Sequence, residues 1–171
     1  MKNTLLATAV CAVLAAATTV QAKSFEIGGG ATYWYSIDEA KDKSFDRDGL
    51  AYYVSSEIFL ANYLAIALEV EKMPEDFVFL EEDMYLPAAY LILGDGIYVG
   101  AGVGGYYYDG EFEGDPWFAL RGGFKIPFFS NALVLDVNVN YRTEKWDDIK
   151  NADDKIGSET LMVGAALRLA F

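Results

Sequence analysis

From Phe25 onward, apolar residues recur at every second position through most of the chain. At the carboxyl end Leu161, Val163, Ala165, Leu167, Leu169 and Phe171 alternate with Gly164, Ala166, Arg168 and Ala170. The same period of two runs through Phe25 to Tyr35, Leu50 to Ile58, Leu64 to Glu71, Ile97 to Gly104, Phe118 to Ile126 and Leu133 to Arg142. Met84 to Leu93 is a weaker eighth segment: Pro87 cannot donate to a sheet ladder, and apolar residues on both faces leave its inward side open. Beyond the amino-terminal segment, no stretch of ten residues follows the three-and-four spacing of an amphipathic helix. The spacing therefore predicts an all-β fold of eight strands, each near the roughly 9–11 residues that a tilted strand needs to cross a bilayer.

The second face of these strands separates a membrane barrel from a soluble sandwich, which also alternates. That face mixes glycine and alanine with Glu57, Glu69, Glu71 and Asp136 and with Arg121, Lys125, Arg142 and Arg168. An eight-stranded barrel has an interior just wide enough to be filled by side chains. Small residues on one wall then accommodate long charged ones from another, and acids and bases satisfy each other as a lumen charge network. A lipocalin-like carrier would want the reverse, an apolar interior and a polar exterior.

Connection lengths alternate as well. Long segments (Ile37 to Gly49, Met73 to Asp83, Thr143 to Glu159) and a medium one (Asp109 to Asp115) are separated by short ones at Ala61-Asn62, Gly94-Asp95-Gly96 and Ser130-Asn131. Outer-membrane barrels have tight periplasmic turns and longer external loops. Aromatic residues cluster at both strand ends. Tyr33, Trp34, Tyr35, Tyr52, Tyr53, Tyr106, Tyr107, Tyr108, Trp117, Phe118 and Tyr141 lie toward the long loops, and Phe25, Phe59, Tyr63, Phe128, Phe129 and Phe171 toward the short turns. Two such bands are expected to be interfacial girdles, represented by Tyr33, Tyr35, Tyr52, Tyr107, Phe118 and Tyr141 at one end and Phe25, Tyr63 and Phe128 at the other.

The amino terminus sets the compartment. Met1-Lys2-Asn3 is a short positive start, Leu5 to Val20 is apolar and small, and Val20-Gln21-Ala22 offers a signal-peptidase site. Residues 1–22 are expected to be a cleaved signal peptide and 23–171 one barrel domain. The single cysteine, Cys11, leaves with the signal, so the mature chain has no thiol for a disulfide.

Acids outnumber bases 26 to 13, which argues against nucleic acid as a partner. About twenty of those acids fall in the four longer connections. Carboxylates and lipid phosphates are both hard oxygen ligands, so loops of this kind would meet lipopolysaccharide through bridging Mg²⁺ or Ca²⁺, or meet a basic host surface directly.

Apparent catalytic and cofactor motifs fall away. Gly100-Ala-Gly102-Val-Gly-Gly105 matches a dinucleotide-binding glycine pattern, but Tyr106-Tyr107-Tyr108-Asp109-Gly110 cannot open the helix that pattern needs; the glycines read as lumen-facing gaps. Asp147, Asp148, Asp153, Asp154 and Glu159 lack the alternate spacing of a calcium-binding loop. With no histidine in the chain, a Ser-His mechanism is excluded. No enzyme activity and no cofactor are expected.

In architecture the whole mature chain resembles the small eight-stranded outer-membrane barrels, of the OmpX kind and the transmembrane domain of OmpA. Terminal Phe171, closing an alternating strand, is the most specific feature. The resemblance implies an eight-stranded antiparallel up-and-down transmembrane β-barrel in the bacterial outer membrane, inserted by the barrel-assembly machinery reading Phe171. The expected role is surface structure or interaction through the loops, with outer-membrane lipids, lipopolysaccharide, and an extracellular ligand or host surface as partners. A narrow pore is the alternative, and a soluble periplasmic lipocalin-like carrier the weaker one.

Overall fold

A strand with one apolar and one polar face is stable only if neighbours present the same faces to the same sides, and eight such strands can satisfy this by closing on themselves. The computed structural model of the protein has this form; it describes residues 25–36, 48–73, 84–108, 110–128, 132–143 and 159–171. The strands are β1 (Phe25–Ser36), β2 (Asp48–Ala61), β3 (Leu64–Met73), β4 (Met84–Gly94), β5 (Ile97–Tyr108), β6 (Glu111–Phe128), β7 (Leu133–Thr143) and β8 (Thr160–Ala170). They form a closed barrel in chain order, every pair antiparallel. The seam joins β1 to β8, with Glu26 opposite Ala170 and Ser36 opposite Thr160. Below that ladder the Phe25 N–H donates to the Phe171 carbonyl at 3.1 Å and the Phe171 N–H to the Phe25 carbonyl at 2.8 Å.

The face left open in β4 is resolved by burial. Met84, Leu86, Tyr90 and Ile92 point inward, and Tyr85, Leu91 and Leu93 point out. Both sides are apolar because the inward ones help to close the two ends of the lumen. Pro87, opposite Val70, shares the outward parity of Tyr85 and Leu91.

One connection departs from the expected alternation. The medium loop from Asp109 to Asp115 contracts to a hairpin turn, because β6 already begins at Glu111. Gly110 has a φ of 85°, a value that glycine adopts without steric penalty. Tyr108 then pairs with Glu111, Tyr107 with Phe112 and Tyr106 with Glu113. The register jumps between Gly104, opposite Trp117, and Tyr106, opposite Glu113, so that Gly114, Asp115 and Pro116 bulge against Gly105. Pro116 has no N–H to give the ladder there. At the other end Gly94, with a φ of 124°, turns β4 into β5, and its N–H donates to the Tyr63 carbonyl of the neighbouring turn at 3.0 Å. The expected signal peptide, most of each of the three long loops and the acids Asp147, Asp148, Asp153 and Asp154 lie outside the described residues.

Candidate functional site: the lumen and the outer face

The lumen is a stack of charged layers closed by apolar residues at both ends. Nearest the short turns, Lys125 on β6 reaches across to Glu26 on β1 (3.0 Å) and Glu57 on β2 (2.7 Å). Glu57 also faces Arg168 at 3.6 Å. Asp136, with no exposed surface, accepts from Arg168 Nε at 2.8 Å and from the Tyr98 hydroxyl at 2.6 Å. One layer up, Arg121 donates Nη1 and Nη2 to the two oxygens of Glu69 at 2.9 and 2.7 Å and lies over the Tyr90 ring at 3.9 Å. Asn140 donates to the Tyr90 hydroxyl at 2.9 Å, and Asn138 to that of Tyr53 at 3.4 Å. Nearest the long loops, Arg142 meets Glu71 at 2.6 Å and covers the Trp117 ring at 4.4 Å. All eight charged residues expected in the lumen thus stand there, in three groups.

Glu26 belongs to the network and was missed, although its place between outward Phe25 and Ile27 is visible from parity alone. Among the described residues the lumen holds five carboxylates (Glu26, Glu57, Glu69, Glu71, Asp136) and four cations (Arg121, Lys125, Arg142, Arg168). Each of these carboxylates lies within salt-bridge distance of a cation, which matters because an unpaired charge at this depth is strongly destabilising. In the Glu71 and Arg142 layer several polar atoms nevertheless lack a hydrogen-bond partner, among them Trp117 Nε1, Arg142 Nε and Arg142 Nη1.

Glycines make room for the large members of this stack. A methyl group at Gly102 would come within 2.3 Å of the Tyr90 ring, at Gly104 within 2.1 Å of Trp117, at Gly49 within 2.7 Å of Trp34, and at Gly28 within 2.6 Å of the Arg168 side chain. The glycine run of β5 is therefore the wall against which Ile92, Tyr90 and Trp117 are stacked. Above the charges, Trp34, Met73, Met84 and Met162 fill the long-loop end; below them, Phe59, Ile92 and Val134 fill the other.

This corrects part of the aromatic reading. Trp34, Tyr53, Phe59 and Trp117 are buried lumen residues, and Tyr106 is packed against the buried cluster; each lies on the inward parity of its strand. The girdle candidates Tyr33, Tyr35, Tyr52, Tyr107, Phe25 and Phe128 are exposed on the outward face, with Phe118 and Tyr141 half-buried there. Tyr63 is exposed in the β2–β3 turn. Tyr33 donates to the Asp48 carboxylate, and Tyr107 meets Phe112 edge-on at 5.3 Å. Phe171 is exposed and 6.2 Å from the Phe25 ring, across the seam.

Between the aromatic ends the outer face is aliphatic, with Val54, Leu68, Leu91, Val99, Leu120, Val139, Val163 and Leu167 all exposed. Burial is inverted relative to a soluble protein: acids and arginines are inside and leucines outside. Topology alone would also suit a lipocalin; the distribution of faces does not.

Two solved structures are similar over nearly their whole length. Neisserial surface protein A, at 15% identity and a TM-score of 0.59, aligns over 86% of this chain and 97% of its own. The amino-terminal β-barrel domain of OprF from Pseudomonas aeruginosa, at 14% identity and a TM-score of 0.56, aligns over 88% and 98%. The fold is that of the small eight-stranded outer-membrane barrels. No protein-family model matches the sequence, and no curated protein does. At these identities the shared property is the barrel fold alone.

Proposed function

We propose that the chain is an integral protein of the bacterial outer membrane, exported by residues 1–22 and inserted as a closed barrel whose long acidic loops act at the cell surface. The observation that carries this reading is the inversion of faces: Asp136 and Arg168 are 0% and 1% exposed, while Ile97, Val54 and Val99 are 83%, 64% and 60% exposed. Exposed apolar area of that extent is unfavourable in water and favourable in lipid. On this reading the two aromatic bands are the headgroup girdles, and Phe171 is the residue read by the barrel-assembly machinery.

The barrel is proposed to pass nothing. Its charges are engaged with one another, and aromatic and methionine side chains close both ends, which supports a structural and interaction role over transport. The loops are proposed to meet lipopolysaccharide through divalent cations, or a basic ligand or host surface directly. Absence of histidine and engagement of the lumen carboxylates support a non-enzymatic role, with no cofactor. The pore reading has one observation in its favour, the unpartnered polar atoms around Glu71, Arg142 and Trp117, which suit a hydrated upper lumen.

The test is fractionation followed by electrophoresis with and without heating. A species extracted only with the outer membrane, migrating differently when unheated, is the expected result. A protein recovered soluble from the periplasm would overturn the proposal.

A further inference from the structure

Register lifts one hairpin above the rest of the barrel. The row of paired residues that leaves β1 at Glu26 passes once around the sheet and returns to β1 at Ser36, ten residues further toward the long-loop end. Each step from strand to strand in that direction therefore climbs by a little over one residue, as strand tilt in a closed barrel requires. The row that starts at Ala31 runs through Tyr52, Lys72, Tyr85 and Tyr107 to Phe112. Five steps on, Phe112 stands about six residues higher than Ala31, past the end of β1 at Ser36. The row thus climbs out of the aromatic band. Phe112 is 72% exposed, against 50% and 47% for Tyr33 and Tyr35. Its ring is nevertheless held in place: Tyr107 meets it edge-on at 5.3 Å, and a methyl group at Gly105 would come within 3.4 Å of it.

We propose that Phe112, braced by Tyr107 and flanked by exposed Glu111, is a docking point for a basic extended segment of another protein, an arginine or lysine of that segment lying on the Phe112 ring. The proposal rests on the reading above in which the external loops meet a basic ligand, and it names one place where they do. An aromatic face attracts a cation through its quadrupole. The chain uses the same pairing inside, with Arg121 over Tyr90 at 3.9 Å and Arg142 over Trp117 at 4.4 Å. A projecting ring whose position is already fixed loses little freedom when a partner covers it, and aromatic anchors of this kind carry much of the energy of small interfaces. Charge selects the occupant. Residues 110–116 hold three acids and no base, and the whole chain has a formal net charge of −13. A second copy would bring acids against acids and a lipid phosphate would meet the same repulsion, whereas a basic segment is attracted.

The probe is a fluorescent peptide of alternating arginine and serine, titrated by anisotropy at low salt against the full-length mature protein in phosphatidylcholine nanodiscs. Empty nanodiscs and a peptide of alternating glutamate and serine are the controls. Wild type is expected to bind the arginine peptide, with no binding in either control. Phe112→Leu keeps an apolar side chain but removes the aromatic face, and should weaken binding about two- to fivefold, the worth of one exposed cation–ring contact. Phe112→Trp should bind at least as tightly as wild type. Equal affinity of Phe112→Leu and wild type overturns the site, as does a loss in Phe112→Trp as large as that in Phe112→Leu. A Phe112→Leu protein that sheds lipid or leaves a dimer while its peptide affinity is unchanged assigns the ring to membrane or self-contact, and overturns it too. Heat-modifiable migration is read first for each variant, so that a misfolded barrel is recognised as such. A folded wild-type barrel that binds no arginine peptide contradicts the basic-ligand reading itself, whereas wild-type binding that Phe112→Leu leaves intact overturns only this site.

Discussion

Arg121 and Glu69 face each other across the barrel interior as a two-bond fork, at 2.9 and 2.7 Å, with the Tyr90 ring against the guanidinium. β3 and β6 are not neighbours in the sheet, so this pair ties walls that the backbone ladder leaves separate. Replacing one partner strands the other charge at a depth where water does not reach it. Arg121→Met should destabilise the barrel by about 3–5 kcal/mol. The double variant with Glu69→Leu should recover most of that loss, since apolar replacement of a whole buried pair is often neutral. Urea unfolding in lipid vesicles measures both; equal losses in the single and double variants would show that packing, not charge pairing, governs the layer.

The glycine wall of β5 makes a second prediction. Gly104→Leu forces a branched side chain into the space held by the Trp117 ring, which lies 2.1 Å from an added Cβ. Overpacking of this kind costs about 1–3 kcal/mol, and a smaller companion, Trp117→Ala, should restore part of it. Gly96, which has nothing within 4 Å of an added Cβ, should accept alanine with no measurable change in the same unfolding assay.

Conductance distinguishes a plugged interior from a pore. In planar bilayers the wild-type protein is expected to give no steady single-channel current. Should a current exist and change its ion selectivity in Glu69→Gln or Arg121→Gln, the transport reading would replace the structural one.

Phe171 exchanges backbone hydrogen bonds with Phe25 at the end of the seam, and its exposed ring lies 6.2 Å from that of Phe25. If it acts as an assembly signal, Phe171→Ala should reduce the heat-modifiable fraction in cells severalfold while the purified variant refolds in vitro almost as wild type does. A matching loss in vitro would assign Phe171 to seam packing instead.

Neutralising Glu81, Glu82 and Asp83 together should weaken whatever the loops hold and flatten its salt dependence, because screening acts only on the charges that remain. Retention of lipopolysaccharide with and without a divalent-cation chelator is the readout. A variant that responds to the chelator as wild type does would remove these three acids from the interaction.

Strand faces were legible because a barrel with a charged interior and an apolar exterior writes its inside and outside at consecutive positions; in β8, Leu167, Arg168 and Leu169 declare both. The same rule, applied residue by residue, separates Trp34 from Tyr33 and Tyr35, and adds Glu26 to the lumen; grouping aromatics by height alone obscured it. The β5–β6 hairpin had its own signal in Asp109-Gly110, a favoured pair for tight reversal, hidden by the acids and the proline that follow. Partner choice within the lumen was not legible. Which carboxylate meets which cation depends on the stagger of strands around the barrel, which no single strand encodes.

The bonds from Lys125 to Glu26 and Glu57 join residues 99 and 68 positions apart. Hydrogen bonds between adjacent strands hold a tube's circumference but do little against ovalisation, since a hoop can flatten without breaking its links. Struts spanning the bore oppose that mode directly. The interior charges therefore give the barrel a preferred round cross-section, which sideways pressure would have to break ion pairs to change.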